Sequence, residues 1–120
     1  YLQNNFLEGS IPSSLGELKN LLDLYLNYNK LSGSIPDELG SLLQLTRLNL
    51  AENKLSGTLP SSLGNMTELI TFWVPSNYLI GNLPDRYRAL VNMKSFSVAG
   101  NNISGKLPEY INEWQQIQVL

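Results

Sequence analysis

Apolar residues recur along this chain with a strict period of 24 positions, and one part of each period alternates between apolar and polar residues. In the unit that begins at Leu21, Leu24 and Leu26 are separated by a single residue, which predicts a short strand with one buried face. Each strand is followed by an asparagine, and the four asparagines are Asn29, Asn53, Asn77 and Asn101. An exact repeat of this length predicts a solenoid in which each unit stacks on the next.

The period makes the whole chain, residues 1–120, one repeat domain. Its units cover 1–20 (partial), 21–44, 45–68, 69–92, 93–116 and 117–120 (partial). Equivalent strands lie one unit apart and run in the same direction, so they predict a parallel sheet with a lateral spacing of about 4.8 Å. The remainder of each unit, for example residues 61–66, is expected to form a 3₁₀ or short helical turn on the opposite, convex side.

The recurring asparagines stand at a corner that stacking buries. A buried backbone group without a partner costs about 1–3 kcal/mol, and an asparagine amide offers both donors and an acceptor. We therefore interpret Asn29, Asn53, Asn77 and Asn101 as a structural ladder that bonds the backbone of neighbouring turns.

After each asparagine come an apolar residue, a glycine and an aliphatic-proline pair, as in Leu31, Gly33 and Ile35-Pro36. This L-x-G-x-I/L-P segment resembles the plant-specific leucine-rich repeat, and the resemblance covers essentially the whole chain. It implies an α/β leucine-rich-repeat solenoid of about five repeats, with a parallel β-sheet on the concave face and 3₁₀ or short helical turns on the convex face. It also implies an extracellular origin, in the ectodomain of a plant receptor-like serine/threonine kinase at the plasma membrane or in a secreted wall protein.

The segment 93–120 resembles one subfamily of these receptor kinases in particular. Pro108-Glu109-Tyr110-Ile111 followed by Trp114 is similar to the receptor kinases that combine these repeats with a malectin-like domain. Val98-Ala99-Gly100 and Glu113 depart from that pattern.

Neither end of the chain has the polar capping repeat that usually closes a solenoid. We expect an uncapped, internal piece of a longer solenoid that associates end to end when isolated. The alternative is a short natural or engineered protein that tolerates open ends or dimerises through them.

Composition argues against several classes of function. The net charge of −2 gives no reason to expect nucleic acid or an anionic membrane as a partner. With no histidine and no cysteine, the chain lacks the usual general base, the thiol nucleophile and the His/Cys ligands of a metal site. We therefore expect no enzyme, no cofactor and no metal in this segment, and any kinase activity would belong to a separate downstream domain.

The variable positions of the strands point away from the core and form columns across the repeats, for example Asp23, Arg47, Thr71, Ser95 and Val119. Large exposed aromatic residues are enriched at binding hot spots, which makes Trp73 the leading candidate. Packing of Trp73 on neighbours such as Pro75, as a shield of the sheet, is the alternative. Asp23 and Arg47 are expected to pair, as surface decoration. The candidate ligand-binding residues of the concave face, in which the aromatic members form a stacking strip, are Tyr25, Tyr28, Arg47, Asn49, Glu52 and Trp73.

Two Asn-x-Ser/Thr sequons, at Asn65 and Asn102, fit an extracellular glycoprotein. The repeat consensus itself places a serine near position 104, so the second sequon also arises whenever residue 102 is an asparagine.

Three functions remain open from the sequence. The chain is a fragment of a receptor ectodomain that binds a peptide, a wall oligosaccharide or a co-receptor; or a secreted repeat protein that binds or inhibits another protein; or a structural spacer without its own ligand. No membrane contact is expected within the segment.

Overall fold

Each full repeat contributes two short strands and one 3₁₀ helix, the partial repeat 1–20 contributes one of each, and the units stack in sequence order. The computed structural model describes residues 1–114 and 116–118. The nine strands of this part of the chain are β1 (Glu8–Ser10), β2 (Asp23–Tyr25), β3 (Lys30–Ser34), β4 (Arg47–Asn49), β5 (Lys54–Thr58), β6 (Thr71–Trp73), β7 (Tyr78–Gly81), β8 (Ser95–Ser97) and β9 (Asn102–Ile103). Its five 3₁₀ helices are η1 (Ser13–Glu17), η2 (Asp37–Ser41), η3 (Ser61–Asn65), η4 (Asp85–Ala89) and η5 (Glu109–Glu113). Val119 and the end of the expected partial repeat 117–120 lie outside the described residues.

The predicted concave sheet is confirmed. It contains β2, β4, β6 and β8 in that order, all parallel. Residues one repeat apart are lateral partners, so that Asp23 is opposite Arg47 and Asn49 is opposite Trp73. The variable positions therefore form the columns that the period predicted. The 3₁₀ turns of the convex side are also confirmed.

The structure also contains a second parallel sheet, made of β1, β3, β5, β7 and β9, which the alternation of apolar residues does not predict. Its strands are the segments that follow each asparagine. Glycine and serine are poor strand residues, and Gly33 within β3 has a φ of +75°, a conformation that glycine adopts without a steric cost. Partners in this sheet are not repeat equivalents, because Ser32 pairs with Lys54 rather than with Ser56. Side chains alternate between the two faces of a strand with period two. A register that is shifted by two residues relative to the repeat therefore keeps the same face of each strand outward.

The core between the sheets and the 3₁₀ helices changes in composition along the stack. Leucines at 48, 50, 55 and 63 fill its middle and are completely buried. Toward the C-terminal end, Phe72, Phe96 and Trp114 follow one another edge to face, with ring centroids 5.6 and 5.2 Å apart. Trp114 is buried, as expected for a residue at a consensus leucine position. Edge-to-face aromatic pairs contribute about 0.5–1.5 kcal/mol beyond the area that they bury.

The predicted asparagine ladder is confirmed in its hydrogen bonds. Oδ1 of Asn53 accepts the backbone N–H of Leu31 in the preceding repeat at 3.0 Å. Its Nδ2 donates to the carbonyl of Leu26 at 2.9 Å and to that of Leu50 at 3.2 Å. Asn77 and Asn101 repeat the arrangement one and two units later. Each amide thus joins two successive repeats at the corner where the strand ends.

The 3₁₀ helices are in close contact where glycine recurs at positions 16, 40 and 64. A Cβ atom at Gly64 would lie 2.6 Å from the carbonyl oxygen of Arg86 in the next helix, so only glycine fits there. The next equivalent residue is Arg88, and η5 packs less closely on η4 than the earlier 3₁₀ helices pack on each other. On this side the buried phenol of Tyr110 donates to the carbonyl of Pro84 at 2.8 Å.

Candidate functional site

The candidate site is the outward side of the concave sheet at its N-terminal half, where charged and aromatic side chains stand in neighbouring columns. One column begins with Asp23, Arg47 and Thr71, and the other contains Tyr25, Asn49 and Trp73. In β8 the two columns carry serines, Ser95 and Ser97. The strands set the position of each side chain, because the parallel register fixes which residues are neighbours.

Asp23 and Arg47 form the predicted pair, with Nε of Arg47 2.7 Å from Oδ1 of Asp23. The hydroxyl of Thr46 donates to the same oxygen at 3.3 Å, and the hydroxyl of Tyr1 donates to Oδ2 at 2.8 Å. Asp23 thus accepts from three side chains, while about half of the Arg47 side chain remains exposed. The pair therefore holds a cation in one orientation beside the concave face.

The electrostatics of this cluster follow from those contacts. Burial raises the pKa of Asp23, but the hydrogen bonds from Tyr1 and Arg47 outweigh it and hold the pKa below its usual value. The same hydrogen bond to Asp23 raises the pKa of the Tyr1 phenol. The hydrogen bond that Arg47 donates to Asp23 also raises the pKa of the guanidinium, so the pair is fully ionised near neutral pH.

Tyr1 was missed as a site residue, although the period was sufficient to find it. It stands one full period before Tyr25, and the neighbouring Leu2 donates its backbone N–H to the Tyr25 carbonyl at 2.9 Å. The rings of Tyr1 and Tyr25 lie 5.0 Å apart at a tilt of 31°. Tyr1 therefore extends the aromatic column by one repeat.

Trp73 is on the concave face, with 37% of its surface exposed. Its Nε1 donates to the hydroxyl of Ser95 in β8 at 2.7 Å, which holds the indole over the sheet and leaves part of the ring to solvent. The residue therefore shields the sheet in part and also offers a rigid apolar surface of the kind found at hot spots.

The expected stacking strip of Tyr25, Tyr28 and Trp73 is not formed. Tyr25 stacks on Tyr1, and it is separated from Trp73 by the whole of β4, which places the two residues about 10 Å apart. Tyr28 is not on a strand at all, but on the turn before Asn29, where its side chain is exposed.

Asn49 corrects another expectation. Although it lies in the concave column, it is only 8% exposed, because its lateral neighbours are the large residues Tyr25 and Trp73. Its Oδ1 accepts the backbone N–H of Ala51 at 3.1 Å. Asn49 is therefore occupied in supporting the turn after β4 and presents little surface to a ligand.

Glu52 and Tyr28 occupy the same turn position in successive repeats and form an exposed rim beside the concave strands. Both have left-handed backbone conformations, with φ values of 53° and 55°. Ser76 and Gly100 continue this conformation at φ values of 54° and 66°. Asparagine and glycine tolerate a left-handed backbone conformation. Asn4 and Gly100 at this turn position are therefore the sequence signal for that conformation.

The two sequons differ in their surroundings. Asn65 ends η3, is half-buried, and its Oδ1 accepts from Nε of Arg86 at 2.8 Å. Asn102 begins β9 and is exposed on the second sheet.

Comparison with protein families identifies the repeats. Two leucine-rich-repeat family models match the chain, one over residues 1–55 and the other over residues 92–114. A search of curated proteins found no match. Within residues 1–114 and 116–118, no helix is long and apolar enough to cross a membrane.

Several solved structures with the same fold are ectodomains of plant receptor kinases. The chain is similar to the receptor in a PEPR1–AtPEP1 complex, with 36% identity over 98% of this chain and a TM-score of 0.96. It is similar to the Arabidopsis receptor kinase HAESA, solved with the peptide hormone IDA and the co-receptor SERK1, with 35% identity over 98% of this chain and a TM-score of 0.95. It also resembles a TDR receptor, with 32% identity over the whole of this chain and a TM-score of 0.98. The chain spans only 16%, 20% and 21% of those three structures, respectively.

Proposed function

We propose that this chain, a leucine-rich-repeat solenoid similar to plant receptor-kinase ectodomains, is an extracellular recognition module that binds a peptide on its concave face. The observation that carries the proposal is the position of the Arg47 guanidinium. Asp23 holds it at 2.7 Å, and it lies beside the column that contains the half-exposed Trp73. The similar HAESA ectodomain was solved with a peptide hormone, which supports the same class of ligand for this chain.

The geometry favours a peptide that carries a carboxylate. Arg47 uses Nε for Asp23, so its Nη groups remain as charged donors, and a planar guanidinium matches the geometry of a carboxylate. Because Asp23 already orients the side chain, less conformational entropy is lost when a ligand binds. Trp73, held by Ser95, supplies a rigid apolar contact on β6, two strands away from β2.

The rim of Glu52 and Tyr28 lies beside this surface and contributes one negative charge and one phenol. A basic or aromatic side chain of the peptide fits that rim. Asn49, being buried, is left out of the proposed contact set, whereas Tyr1 is added to it. The proposed site is therefore Tyr1, Tyr25, Tyr28, Arg47, Glu52 and Trp73.

A screen of synthetic peptides tests the proposal with a built-in comparison. Each peptide is presented once with a free C-terminal carboxylate and once as the amide, and binding to the secreted chain is measured by calorimetry or surface plasmon resonance. We expect the peptides that bind to be those with a free carboxylate. The Trp73→Ala substitution should weaken their binding by at least about tenfold, or 1.4 kcal/mol. Leu43→Ala, an exposed apolar residue outside the concave strands, is the matched control and should leave affinity unchanged. Equal affinity of Trp73→Ala and the native chain would move the site elsewhere.

The finer family assignment rests on the sequence of the segment 93–120. The Pro108-Glu109-Tyr110-Ile111 run and Trp114 support a parent receptor kinase with a malectin-like domain. Reading the parent transcript beyond Leu120 tests this. A malectin-like domain, an apolar segment of about 20 residues and a kinase domain would support the assignment, whereas a capping repeat followed by a stop codon would identify a secreted binding protein instead.

A further inference from the structure

The outward face of the second sheet is polar except at one place. Most of its outward positions carry lysine, serine or threonine, as at Lys30, Ser32, Lys54, Ser56 and Thr58. At the positions equivalent to Lys54 and Ser56, β7 carries Tyr78 and Ile80. Tyr78 is 65% and Ile80 50% exposed, while Leu79 between them is completely buried. The two exposed residues thus stand on the same side of one strand, as an apolar pair without cover.

The strand next to this pair begins with Asn102. In the register of the sheet Asn102 is the lateral partner of Ile80, so their side chains leave the same face about 5 Å apart. Asn102 is exposed, and Ile103 and Ser104 complete a sequon with it. Tyr78 lies two residues before Ile80, on the diagonal from Asn102, within reach of a group attached to the asparagine.

We propose that Asn102 carries an N-linked glycan whose first N-acetylglucosamine lies on Ile80 and Tyr78. The co-reactant is a polyprenyl-diphosphate-linked oligosaccharide, which a transferase of the secretory pathway supplies. Nδ2 of Asn102 forms a bond to C1 of the first sugar, the bond from C1 to the diphosphate oxygen breaks, and the amide loses one proton. The lipid diphosphate leaves with the electron pair, so no oxidant or reductant is needed.

The geometry gives the attached sugar a defined place. A pyranose ring has one face of C–H groups, which packs on an aromatic or aliphatic surface, and a rim of hydroxyls that stay in water. The covalent bond holds that face next to Ile80 at a high effective concentration, so that even a weak contact is occupied. Covering the two side chains also removes apolar surface from water. The polar residues at the equivalent sites of β3 and β5 have no sequon on the following strand.

Asn65 provides the contrast within the same chain. Its side chain is half-buried at the end of η3, and its Oδ1 already accepts from Nε of Arg86. A glycan on Asn65 would have to displace that contact, and the Tyr78–Ile80 pair lies on another face of the solenoid. Asn65 therefore serves as the reference for a glycan without an apolar platform.

The test uses the chain secreted from plant cells, and it does not depend on any ligand. Glycopeptide mass spectrometry locates the modification, and thermal unfolding measures its effect. We expect Asn102 to be occupied, and Asn102→Gln to lower Tm by about 3–6 °C. Trimming the glycan with an endoglycosidase that leaves the first sugar attached should preserve Tm, because that sugar makes the contact.

A double variant, Tyr78→Ser with Ile80→Ser, separates the contact from a general effect of glycosylation. Serine occupies the positions equivalent to Ile80 in β3 and β5, and lysine, also polar, occupies those equivalent to Tyr78, so the variant is expected to fold. In this background the Tm shift on Asn102→Gln should vanish, while the effect of Asn65→Gln stays the same in both backgrounds. An unmodified Asn102 in the secreted protein overturns the proposal. So does a Tm shift of the same size with and without the Tyr78–Ile80 pair.

Discussion

Asp23 and Arg47 are opposite each other in adjacent strands. The carboxylate of Asp23 accepts hydrogen bonds from Nε of Arg47 at 2.7 Å and from the hydroxyl of Tyr1 at 2.8 Å. The contact depends on the stacking of two repeats, since the residues are one full period apart. It converts a flexible surface arginine into a donor group with a fixed orientation. An exposed ion pair contributes little to stability, so its importance lies in positioning.

Replacement of Asp23 by asparagine tests that role. An amide still accepts from Tyr1, but it no longer attracts the guanidinium, so we expect weaker binding of carboxylate peptides with only a small change in Tm. The expected loss of affinity is about 3–10-fold, or 0.7–1.4 kcal/mol. The pH dependence provides a second readout. Because the pKa of Asp23 is lowered in the folded chain, its contribution to stability is complete above the usual value of 3.8 and is lost as the pH falls below it.

Acid titration of the native chain and of Asp23→Asn, followed by circular dichroism, measures that contribution. The native chain should lose stability more steeply than the variant below pH 3.8. Identical acid profiles for the two proteins would show that Asp23 has the same pKa folded and unfolded.

The asparagine ladder predicts a large effect from one buried amide. Asn53→Ala removes the acceptor for Leu31 N–H and the donors to Leu26 and Leu50, and it leaves those backbone groups buried. We expect a loss of about 2–4 kcal/mol in the free energy of unfolding. Urea denaturation measures it, with the exposed Asn20→Ala as control, for which the expected change lies within about 0.5 kcal/mol. Equal effects at the two positions would contradict the ladder.

The close contact between η3 and η4 predicts that Gly64 tolerates no side chain. A Cβ atom at that position would lie 2.6 Å from the carbonyl oxygen of Arg86, so Gly64→Ala must push two repeats apart. The expected cost is about 1–3 kcal/mol. Asn112→Ala is the matched control because it lies at the same position of the repeat, two units later, and is exposed. A Gly64→Ala protein as stable as the native chain would show that the stack yields at this point.

The phenol of Tyr110 predicts a loss of stability at alkaline pH. Burial raises its pKa to about 12, above the value of 10.0 that it has in the unfolded chain. The folded state therefore holds this proton more tightly. The contribution of the phenol to stability is complete below pH 10 and falls as the pH rises from 10 toward 12. Burial also raises the pKa of Tyr87 well above its usual value, which adds to the same loss.

Ultraviolet absorbance of the phenolate, recorded together with circular dichroism, follows both processes. Tyr110→Phe should make the alkaline fall in stability shallower, at the cost of about 0.5–1.5 kcal/mol at neutral pH for the lost bond to Pro84. A fall of the same steepness in native chain and variant would rule out Tyr110 as a source of the effect.

The sequence determined the repeat, the concave sheet and the asparagine ladder, because each depends on a residue type that returns once in every period. The same period places Asp23 next to Arg47 and Tyr1 next to Tyr25. Backbone bonding between repeats, however, is independent of side-chain alternation. The second sheet, with Gly33 inside β3 and partners two positions short of a full period, was therefore invisible in the pattern.

Tertiary structure alone decided how much of each candidate residue reaches solvent. Asn49 and Trp73 are consecutive members of one column, yet Asn49 is buried and Trp73 is half-exposed, because the larger neighbours on both sides cover the smaller side chain. Likewise, the pairing of Ile80 with Asn102 depends on the register of the second sheet, which no spacing in the sequence specifies. A repeat fixes which residues are equivalent, whereas the packing of unequal side chains between the repeats decides which of them a ligand or a sugar meets.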